Sequence, residues 1–400
     1  MPGFDLSFMT QSEATSSIRD LFTLIDGFNH THPGVDVGVH HMTWQEAWQQ
    51  LMRVAIYKKG PQLSEIGSPW TNDFVAMNSL RPFQPAEIDR LGGAAAFSPA
   101  AWKNSLTNEG SQVWGIPSRV DVRIIYYWKD MLADAGIDEH NAFSTPEQVI
   151  ATLDRLRACG MEKPLLMLID HPRNNVYYAA SWVWGAGGEI VDSAGNMAFH
   201  QPEAQAGLSA FFKMHPYMVT GDQQKDAHFL NRQCAVMVAG QWILETARKG
   251  RAAPVAAQMI DRLGVALPPG PSFVGGTNLV IWQHESHQDI QTAFELIQYL
   301  IDSPDYTRLC LKSDFLPARI AALCDPLLTD DPHYSVLVKA LQTGRSHSSA
   351  HLWVLLAERL GNAIAAIWNV LRENPNENVE KLVAKQTGVV ASRLEQALGR

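Results

Sequence analysis

The sequence predicts an α/β protein with more than one domain, and three observations lead to that prediction. Between Asp5 and Ile66, short strands alternate with amphipathic helices in a β-α-β-α-β order, which is typical of a parallel sheet flanked by helices. The same alternation restarts near Phe143. A chain of 400 residues also exceeds one ordinary core, so at ~150 residues per domain we expect two or three domains.

The first five elements follow from local pattern. Asp5–Thr10 and Val35–Val39 are predicted strands, and Ile18–Phe28 carries apolar residues at the i, i+3, i+4, i+7 spacing of a helix. Thr43–Glu46 has the capping-box sequence, which predicts a helix running to about Tyr57. Gln62–Ile66 is the third strand of this region.

The segment Val113–Ile137 predicts two strands joined by a bend at Ile116-Pro117, followed by a helix. Asp121 and Arg123 lie inside this apolar stretch and have the same parity, so a continuous strand would direct both to one face. Burying charge is costly unless the charge is paired or meets a polar ligand. The segment is therefore either a structural ion pair or one wall of a polar site.

Later elements are read in the same way. A helix begins at Thr145-Pro146, and the rest of the chain beyond Arg319 is mostly helical. The other predicted elements are strand Pro164–Ile169, helix Asn175–Trp184, a turn at 192–196, strand Gln233–Val238, strand Leu263–Leu267, a Gly-rich bend at 275–278, strand Leu279–Trp282 and helix Ile290–Ile301.

Composition excludes several classes of function. With 32 basic and 41 acidic residues, the net charge of −9 argues against nucleic acid or anionic membrane as a partner. No run of ~18 apolar residues predicts a membrane span, because Glu358, Arg359 and Asn362 interrupt the most apolar helical stretch. The N-terminus lacks the basic and apolar regions of a signal peptide, so we expect a cytosolic protein or one whose leader has been removed.

Motifs for catalysis, cofactors and metals are missing from the sequence. It has no GxSxG, GxxxxGK[ST] or strand-following GxGxxG motif, and we expect no cofactor and no metal site. The four cysteines lack metal-ligand spacing and have apolar neighbours, which predicts small core residues. Cys310 and Cys324 could pair in an oxidising compartment, and spacing alone leaves that open.

Seven ordered motifs carry a family resemblance. They are a helix ending in FNHTHPGVDV, then PQLSEIGSPW, GIPSRVDVRIIYYWKDMLADAGI, SWVWGAGGEIVDSAGNMAFHQPEA, FLNRQCAVMVAGQW, GGTNLVIW and FLPARIAA. In this order the chain resembles the extracellular solute-binding proteins of ABC sugar importers, the group that contains maltose-binding protein. Two departures are the missing leader with its lipidation cysteine and the amide Gln62, where the family has an acidic residue nearby.

The resemblance implies the two-lobed periplasmic-binding-protein fold, in which each lobe is a mainly parallel sheet flanked by helices and a cleft between the lobes holds the ligand. It implies an N-terminal lobe of 1–116 plus 264–302 and a C-terminal lobe of 117–263 plus 303–400. It further implies a monomer that captures a carbohydrate by hinge closure and delivers it to membrane permease subunits. The expected location is periplasmic or extracellular, either free or lipid-anchored.

Sugars have apolar faces and a rim of hydroxyl groups, so their sites combine aromatic rings with fixed polar groups. The chain has twelve tryptophans, several at the ends of predicted strands. Each candidate has core packing, a surface position or a structural ion pair as its alternative role. The candidate ligand-binding residues are Thr10, Gln11, Trp44, Ser68, Trp70, Asp121, Arg123, Trp182, Trp184, Trp242, Gly276, Thr277 and Arg319.

Two other classes of function stay open at this point. A carbohydrate-active enzyme would need two carboxylates facing each other in a cleft, and any of the 41 acidic residues could supply them. The second is a binder of another polar molecule, such as a polyol, a glycerol phosphate or an opine. An anionic ligand is favoured if Arg123 and Arg319 both face it.

Overall fold

The computed structural model describes residues 4–10, 15–107, 112–169, 172–221, 225–250, 254–346 and 353–397. Its strands are β1 (Phe4–Thr10), β2 (Val37–Thr43), β3 (Leu63–Gly67), β4 (Ile116–Val122), β5 (Ile124–Trp128), β6 (Leu165–Leu166), β7 (Val236–Ala239), β8 (Leu263–Ala266), β9 (Phe273–Ile281), β10 (Leu316–Pro317) and β11 (Arg345–Ser346).

The helices account for most of the remaining described chain. They are α1 (Thr15–Thr31), α2 (Trp44–Tyr57), α3 (Thr71–Ala76), α4 (Pro85–Arg90), α5 (Pro99–Lys103), α6 (Lys129–Asp134), α7 (Pro146–Ala158), α8 (Pro172–Gly185), α9 (Pro202–Phe212), α10 (Asp226–Leu230), α11 (Trp242–Lys249), α12 (Pro254–Gln258), α13 (His287–Asp302), α14 (Pro304–Lys312), α15 (Ile320–Leu323), α16 (Pro326–Thr329), α17 (Pro332–Thr343), α18 (Trp353–Glu373) and α19 (Val379–Ala397).

The chain divides into two compact units. The first unit comprises Met1–Asp121, Val274–Asp330 and Ser349–Leu352, and the second comprises Val122–Phe273, Asp331–Ser348 and Trp353–Arg400. This division differs from the predicted one mainly at 303–330, which the structure groups with the first unit. The reason is local packing, because α14 lies against α1 and β10 pairs with β4.

The first unit is built on a sheet with the strand order β10-β4-β9-β3-β1-β2. Strand β1 pairs in parallel with both β2 and β3, as the β-α-β-α-β pattern predicted. Strand β9 runs antiparallel to β3. The structure corrects one local prediction here, because β9 begins at Phe273 and so takes in the predicted Gly-rich bend.

Gly276 explains why that stretch is strand rather than bend. Its φ of +136° is rarely adopted by residues with a side chain, and a Cβ at this position would overlap the carbonyl oxygen of Arg119. Glycine therefore lets β9 and β4 approach closely at this point of the sheet.

The second unit is built on a smaller sheet with the order β6-β7-β5-β8. Strand β5 is antiparallel to both β7 and β8, and β6 is parallel to β7, so this sheet is less parallel than predicted. Strand β5 lies near the start of the unit's main segment and β8 near its end. Because the chain enters through β5 and leaves through β8 beside it, these two strands run in opposite directions.

Long helices cover this sheet and form the rest of the second unit's core. Helix α18 packs against α8 and α19, and α9 packs against α8. By length and composition alone, α18 is the one helix of the described chain that could cross a membrane, and half of its apolar stretch is buried inside the protein. That burial is what a core helix requires.

Candidate functional site

A row of aromatic rings in the second unit brings together several predicted site residues. We call it the aromatic row and define it as Trp242, Tyr177, Phe273 and Trp184. The ring centroids of Tyr177 and Phe273 lie 4.1 Å apart with planes 15° from parallel. The rings of Trp184 and Phe273 are 6.3 Å apart and inclined by only 5°. Three elements, α8, α11 and β9, therefore contribute rings to one surface.

Arg123 connects Trp242 to this stack. Its guanidinium carbon lies 4.9 Å from the Trp242 ring centroid and 5.8 Å from those of Tyr177 and Tyr178. Strand β4 ends at Val122 and β5 begins at Ile124, and the Arg123 amide donates to the carbonyl of Phe273 across 3.0 Å. The positive charge of Arg123 within the apolar segment is therefore stabilised by the faces of aromatic rings.

Local sequence fixes the position of Trp242 at the first turn of α11. A Cβ at Gly240 would overlap the indole, so glycine allows the ring to fold back over the preceding backbone. The indole Nε1 donates to Asp226 Oδ2 across 3.2 Å. The side chain of Gln241 is buried and accepts a hydrogen bond of 3.0 Å from the Val122 amide, which ties the start of α11 to the neighbouring strand.

Exposure separates the rings that could meet a ligand from those that support them. Trp242 and Tyr177 are half-buried, whereas Phe273 is 1% and Trp184 is 8% exposed. Trp182, also a predicted candidate, is 1% exposed and packs edge-on against Phe211. The structure therefore gives Trp182 a core role, and its contact with a ligand stays a prediction.

A second guanidinium lies at the Trp184 end of the row. The Arg345 carbon lies 4.9 Å from the Trp184 ring centroid, and Arg345 Nη2 donates to both carboxylate oxygens of Glu189 at 2.8 and 2.7 Å. Neither Arg345 nor Tyr177 was predicted from the sequence. Tyr177 follows Asn174, Asn175 and Val176 on α8 and carries no local signal beyond being an aromatic residue near Trp182 and Trp184.

The predicted candidates of the first unit form a second aromatic group. Trp44 lies edge-on to Trp70 with centroids 5.8 Å apart, and its ring is stacked against Phe315 at 6.3 Å. Trp44 is half-buried, but Trp70 is 2% exposed and Ser68 beside it is also buried. Packing is thus the observed role of Trp70, and ligand contact at Trp44, Ser68 and Trp70 stays a prediction.

A buried ion pair lies at the centre of the first unit's sheet. Arg119 Nε donates to Glu65 Oε1 across 2.8 Å, Arg119 Nη2 donates to Glu65 Oε2, and both side chains are 0% exposed. Glu65 also accepts from the hydroxyls of Thr277 (2.6 Å) and Ser118 (3.3 Å) and from the Met9 amide (2.9 Å). The predicted residue Thr277 therefore serves this internal network.

Aromatic faces complete the enclosure of Arg119. The guanidinium carbon lies 4.3 Å from the Phe8 ring centroid and 4.5 Å from that of Phe315. Burial alone would lower the pKa of Arg119, but the charge of Glu65 and the hydrogen bonds to it raise that pKa above its ordinary value. The arginine is thus held charged inside the core, which is a structural role.

The other predicted candidates are dispersed. Arg319 donates to the carbonyl of Leu91 across 2.6 Å and pairs with Asp302 at 2.6 Å, so its cation is engaged within the first unit. Asp121 is half-buried and is the last residue of the first unit's N-terminal segment. Thr10 ends β1, while its side chain and the whole of Gln11 fall outside the described residues.

The cysteines differ from the prediction in part. Cys234 and Cys310 are buried, as expected, but Cys159 and Cys324 are exposed. Cys310 and Cys324 are both free thiols, so the structure does not pair them. Across the ranges described above, no three His, Cys, Asp or Glu side chains are grouped so that they could hold a metal ion.

Known proteins of similar structure place this arrangement in context. A family model described as bacterial extracellular solute-binding protein matches residues 23–336. The sugar-binding protein MalE from Xanthomonas citri superposes with a TM-score of 0.83 over 99% of this chain and 98% of its own, at 20% identity. UgpB from Mycobacterium tuberculosis, solved in complex with glycerophosphocholine, gives 0.79 over the full length of both chains, at 17% identity.

A third similar structure is the GacH receptor of Streptomyces glaucescens, solved unliganded and in complex with acarbose. It has a TM-score of 0.79 over 99% of this chain and 98% of its own, at 19% identity. These likenesses confirm the predicted fold class, the two-lobed fold of periplasmic binding proteins.

Proposed function

Since this chain belongs to the bacterial extracellular solute-binding protein family, we propose that it captures a carbohydrate outside the cytoplasm and delivers it to an ABC importer. The observation that carries the proposal is the aromatic row with its two half-buried rings, Trp242 and Tyr177. Flat, partly open rings match the apolar C–H faces of a sugar.

Polar groups beside the row supply the second requirement of a sugar site. The Arg123 guanidinium lies among the rings of Trp242, Tyr177 and Tyr178, and Asp226 fixes the Trp242 indole. A guanidinium donates to two hydroxyl groups at once and so sets the orientation of a ring stacked beside it. The similar structures support the same ligand class, since one is a sugar-binding protein and another binds acarbose.

We further propose that the protein acts as a monomeric binder and not as a catalyst, with membrane permease subunits as its partners. The hinge closure that the resemblance implies belongs to this proposal, with the two lobes taken as the two units into which the structure divides the chain. Periplasmic or extracellular location follows from the family, and a lipid anchor is part of the proposal as well.

The test is a panel of mono- and oligosaccharides, measured by thermal shift and by titration calorimetry. We expect one sugar class to bind one molecule per chain and to raise the melting temperature by mass action. Small-angle scattering with the same sugar should show a smaller radius of gyration if binding closes the protein. Failure of every sugar to bind, or release of hydrolysed sugar, would contradict the proposal.

A second candidate ligand class has a specific observation in its favour. The Arg123 guanidinium lies among the rings of the aromatic row, and UgpB was solved with glycerophosphocholine. A polar ligand with a negative group, such as a glycerol phosphate or an opine, fits a site that has a guanidinium beside its rings. With Arg123→Gln, a charged ligand should lose far more affinity than a neutral sugar does, which distinguishes the two classes.

A further inference from the structure

The second unit contains a cavity that shares no lining residue with the aromatic row. It has a volume of about 480 Å³ and lies between α7, the segment after it, the turn at His215–Tyr217 and helix α18. Buried Trp368 and Leu371 of α18 and buried Met218, which follows the turn, give the cavity an apolar part of its lining. A volume of this size falls within the range of ~300–1,000 Å³ that holds small organic ligands.

Among the residues that the structure describes, three cations line the same cavity and no carboxylate does. They are Arg157, Lys163 and Arg372. Within the described part of the chain, none of the three forms an ion pair with Asp or Glu. This is unusual for a protein whose net charge is −9, since acidic partners are abundant on its surface.

Two of these cations share a single neutral acceptor. Arg157 Nη2 and Lys163 Nζ both donate to the carbonyl oxygen of Pro216, the latter across 3.0 Å. Arg157 is also held over the ring of Tyr217, 4.4 Å from its centroid, and the hydroxyl of Tyr217 donates to Asp154. Arg157 Nε also donates to the carbonyl of Glu162 across 3.4 Å. Carbonyl dipoles do not neutralise two full charges, so a positive potential remains at this side of the cavity.

We infer that this basic cavity binds a small organic anion, a compound in which a phosphate or carboxylate group is attached to a compact apolar or planar part. The anionic group would lie among Arg157, Lys163 and Arg372, and the apolar part would rest on Met218 and Trp368. An anion placed there accepts charge-assisted hydrogen bonds from the cations, and its negative charge offsets the repulsion between them. A neutral sugar would leave that repulsion in place, so this is a different ligand class from that of the aromatic row.

The occupant is a small molecule rather than a polyanion because the site is concave and limited in volume. Binding there joins α18 to α7 and to the turn at His215–Tyr217, all within the second unit. The ligand therefore stabilises the second unit by mass action.

The experiment uses the full chain and four probes: phenyl phosphate, benzoate, inorganic phosphate and phenol. Titration calorimetry at low salt should show one site for phenyl phosphate, tighter than for inorganic phosphate alone, and no binding of phenol. The affinity should fall as ionic strength rises. The double variant Lys163→Gln with Arg372→Gln should weaken phenyl phosphate binding about tenfold or more.

The matched control is Arg359→Gln with Lys385→Gln, which removes the same two charge types from exposed positions of α18 and α19 outside the cavity. It should leave phenyl phosphate binding unchanged, and both double variants should keep full carbohydrate binding and the parent's melting temperature. Failure of all three anions to bind at millimolar concentration would overturn the inference. So would an equal loss in the control, or a lowered melting temperature of the cavity variant with unchanged anion affinity.

Discussion

Each of the two units holds an arginine among aromatic rings, but the arginine of the first unit is fully enclosed, whereas two rings beside the arginine of the second unit are partly exposed. In the first unit, Arg119 lies between Phe8 and Phe315 and is 0% exposed, with its charge matched by Glu65. In the second, Arg123 lies among rings of which Trp242 and Tyr177 are half-buried. The same chemical contact can therefore serve stability where it is enclosed and ligand recognition where an open ring accompanies it.

The largest expected effect is on the enclosed pair. Glu65→Ala leaves the Arg119 charge buried without its partner, which should lower the free energy of unfolding by about 3–5 kcal/mol. Urea denaturation checks this. Asp20→Ala, which breaks an exposed pair with Lys312, is the control and should cost less than about 1 kcal/mol. Equal losses in the two variants would show that the buried Glu65–Arg119 pair contributes no more to stability than an exposed pair.

Next in size is the loss of an open ring. Trp242→Ala should reduce carbohydrate affinity by about 30-fold, equivalent to about 2 kcal/mol, because the proposed stacking face is removed. Calorimetry with the best sugar of the panel measures it. The control is Trp102→Ala, a half-buried tryptophan of the first unit stacked on Phe97, which should keep the parent affinity. Unchanged binding in the Trp242 variant would show that the aromatic row is structural.

A smaller effect is expected at the carboxylate that precedes Arg123. Asp121→Asn preserves shape and removes one charge, so it should weaken ligand binding by about tenfold or less while leaving the unfolding transition largely unchanged. Calorimetry measures the ligand affinity, and urea denaturation of the same samples measures the stability. A large loss of stability without a change in affinity would make Asp121 a structural residue like Glu65.

The remaining effects concern the dependence of stability on pH, and they have opposite signs in the two units. In the first unit, burial and the charge of Asp289 raise the pKa of Glu285 to about 7. The folded protein therefore keeps a proton that an unfolded glutamate releases, and stability should fall as pH rises from about 4 to about 7. Glu285→Gln should make the free energy of unfolding less dependent on pH in this range.

In the second unit, burial acts to raise the pKa of Asp331, but Arg248 and the amides of Tyr334 and His333 hold it below its ordinary value. The Asp331 carboxylate therefore stabilises the folded protein above a pH of about 4, and this contribution is lost as the pH falls further. Asp331→Asn should flatten the curve there. Urea denaturation between about pH 3 and pH 8 tests both variants, with exposed Glu358→Gln as control, and a common slope in all three would contradict the assignment.

Local elements were accessible from the sequence because their signals are local. The predicted helix from the Thr43 capping box to Tyr57 is observed as α2, and both the amide and the hydroxyl of Thr43 donate to Glu46. The helix predicted to begin at Thr145-Pro146 is likewise confirmed as α7, and the Thr145 side chain caps it. The fold class could be predicted from two signals: the alternation of strands and helices, and the order of the seven motifs that resemble the family.

Contacts between distant residues were not accessible in the same way. Glu65 and Arg119 are 54 residues apart, and Thr277 joins them from 212 residues beyond Glu65. Arg119 has the same parity as Asp121 in β4 but was not predicted as a site residue, and only its complete burial reveals its structural role. Packing also decides which tryptophan stays partly exposed, since Trp182 is 1% exposed whereas Trp242 is half-buried.

The position of β9 has a consequence for how the protein is made. This strand lies between β3 and β4 in the first unit's sheet, yet it begins at Phe273, after most of the second unit has been synthesised. A nascent chain that has not reached Ile281 leaves the edge of β3 without its neighbour, a state prone to wrong strand pairing. The first unit thus completes its sheet late, and it should fold slowly for its size because the contact spans more than 200 residues of chain.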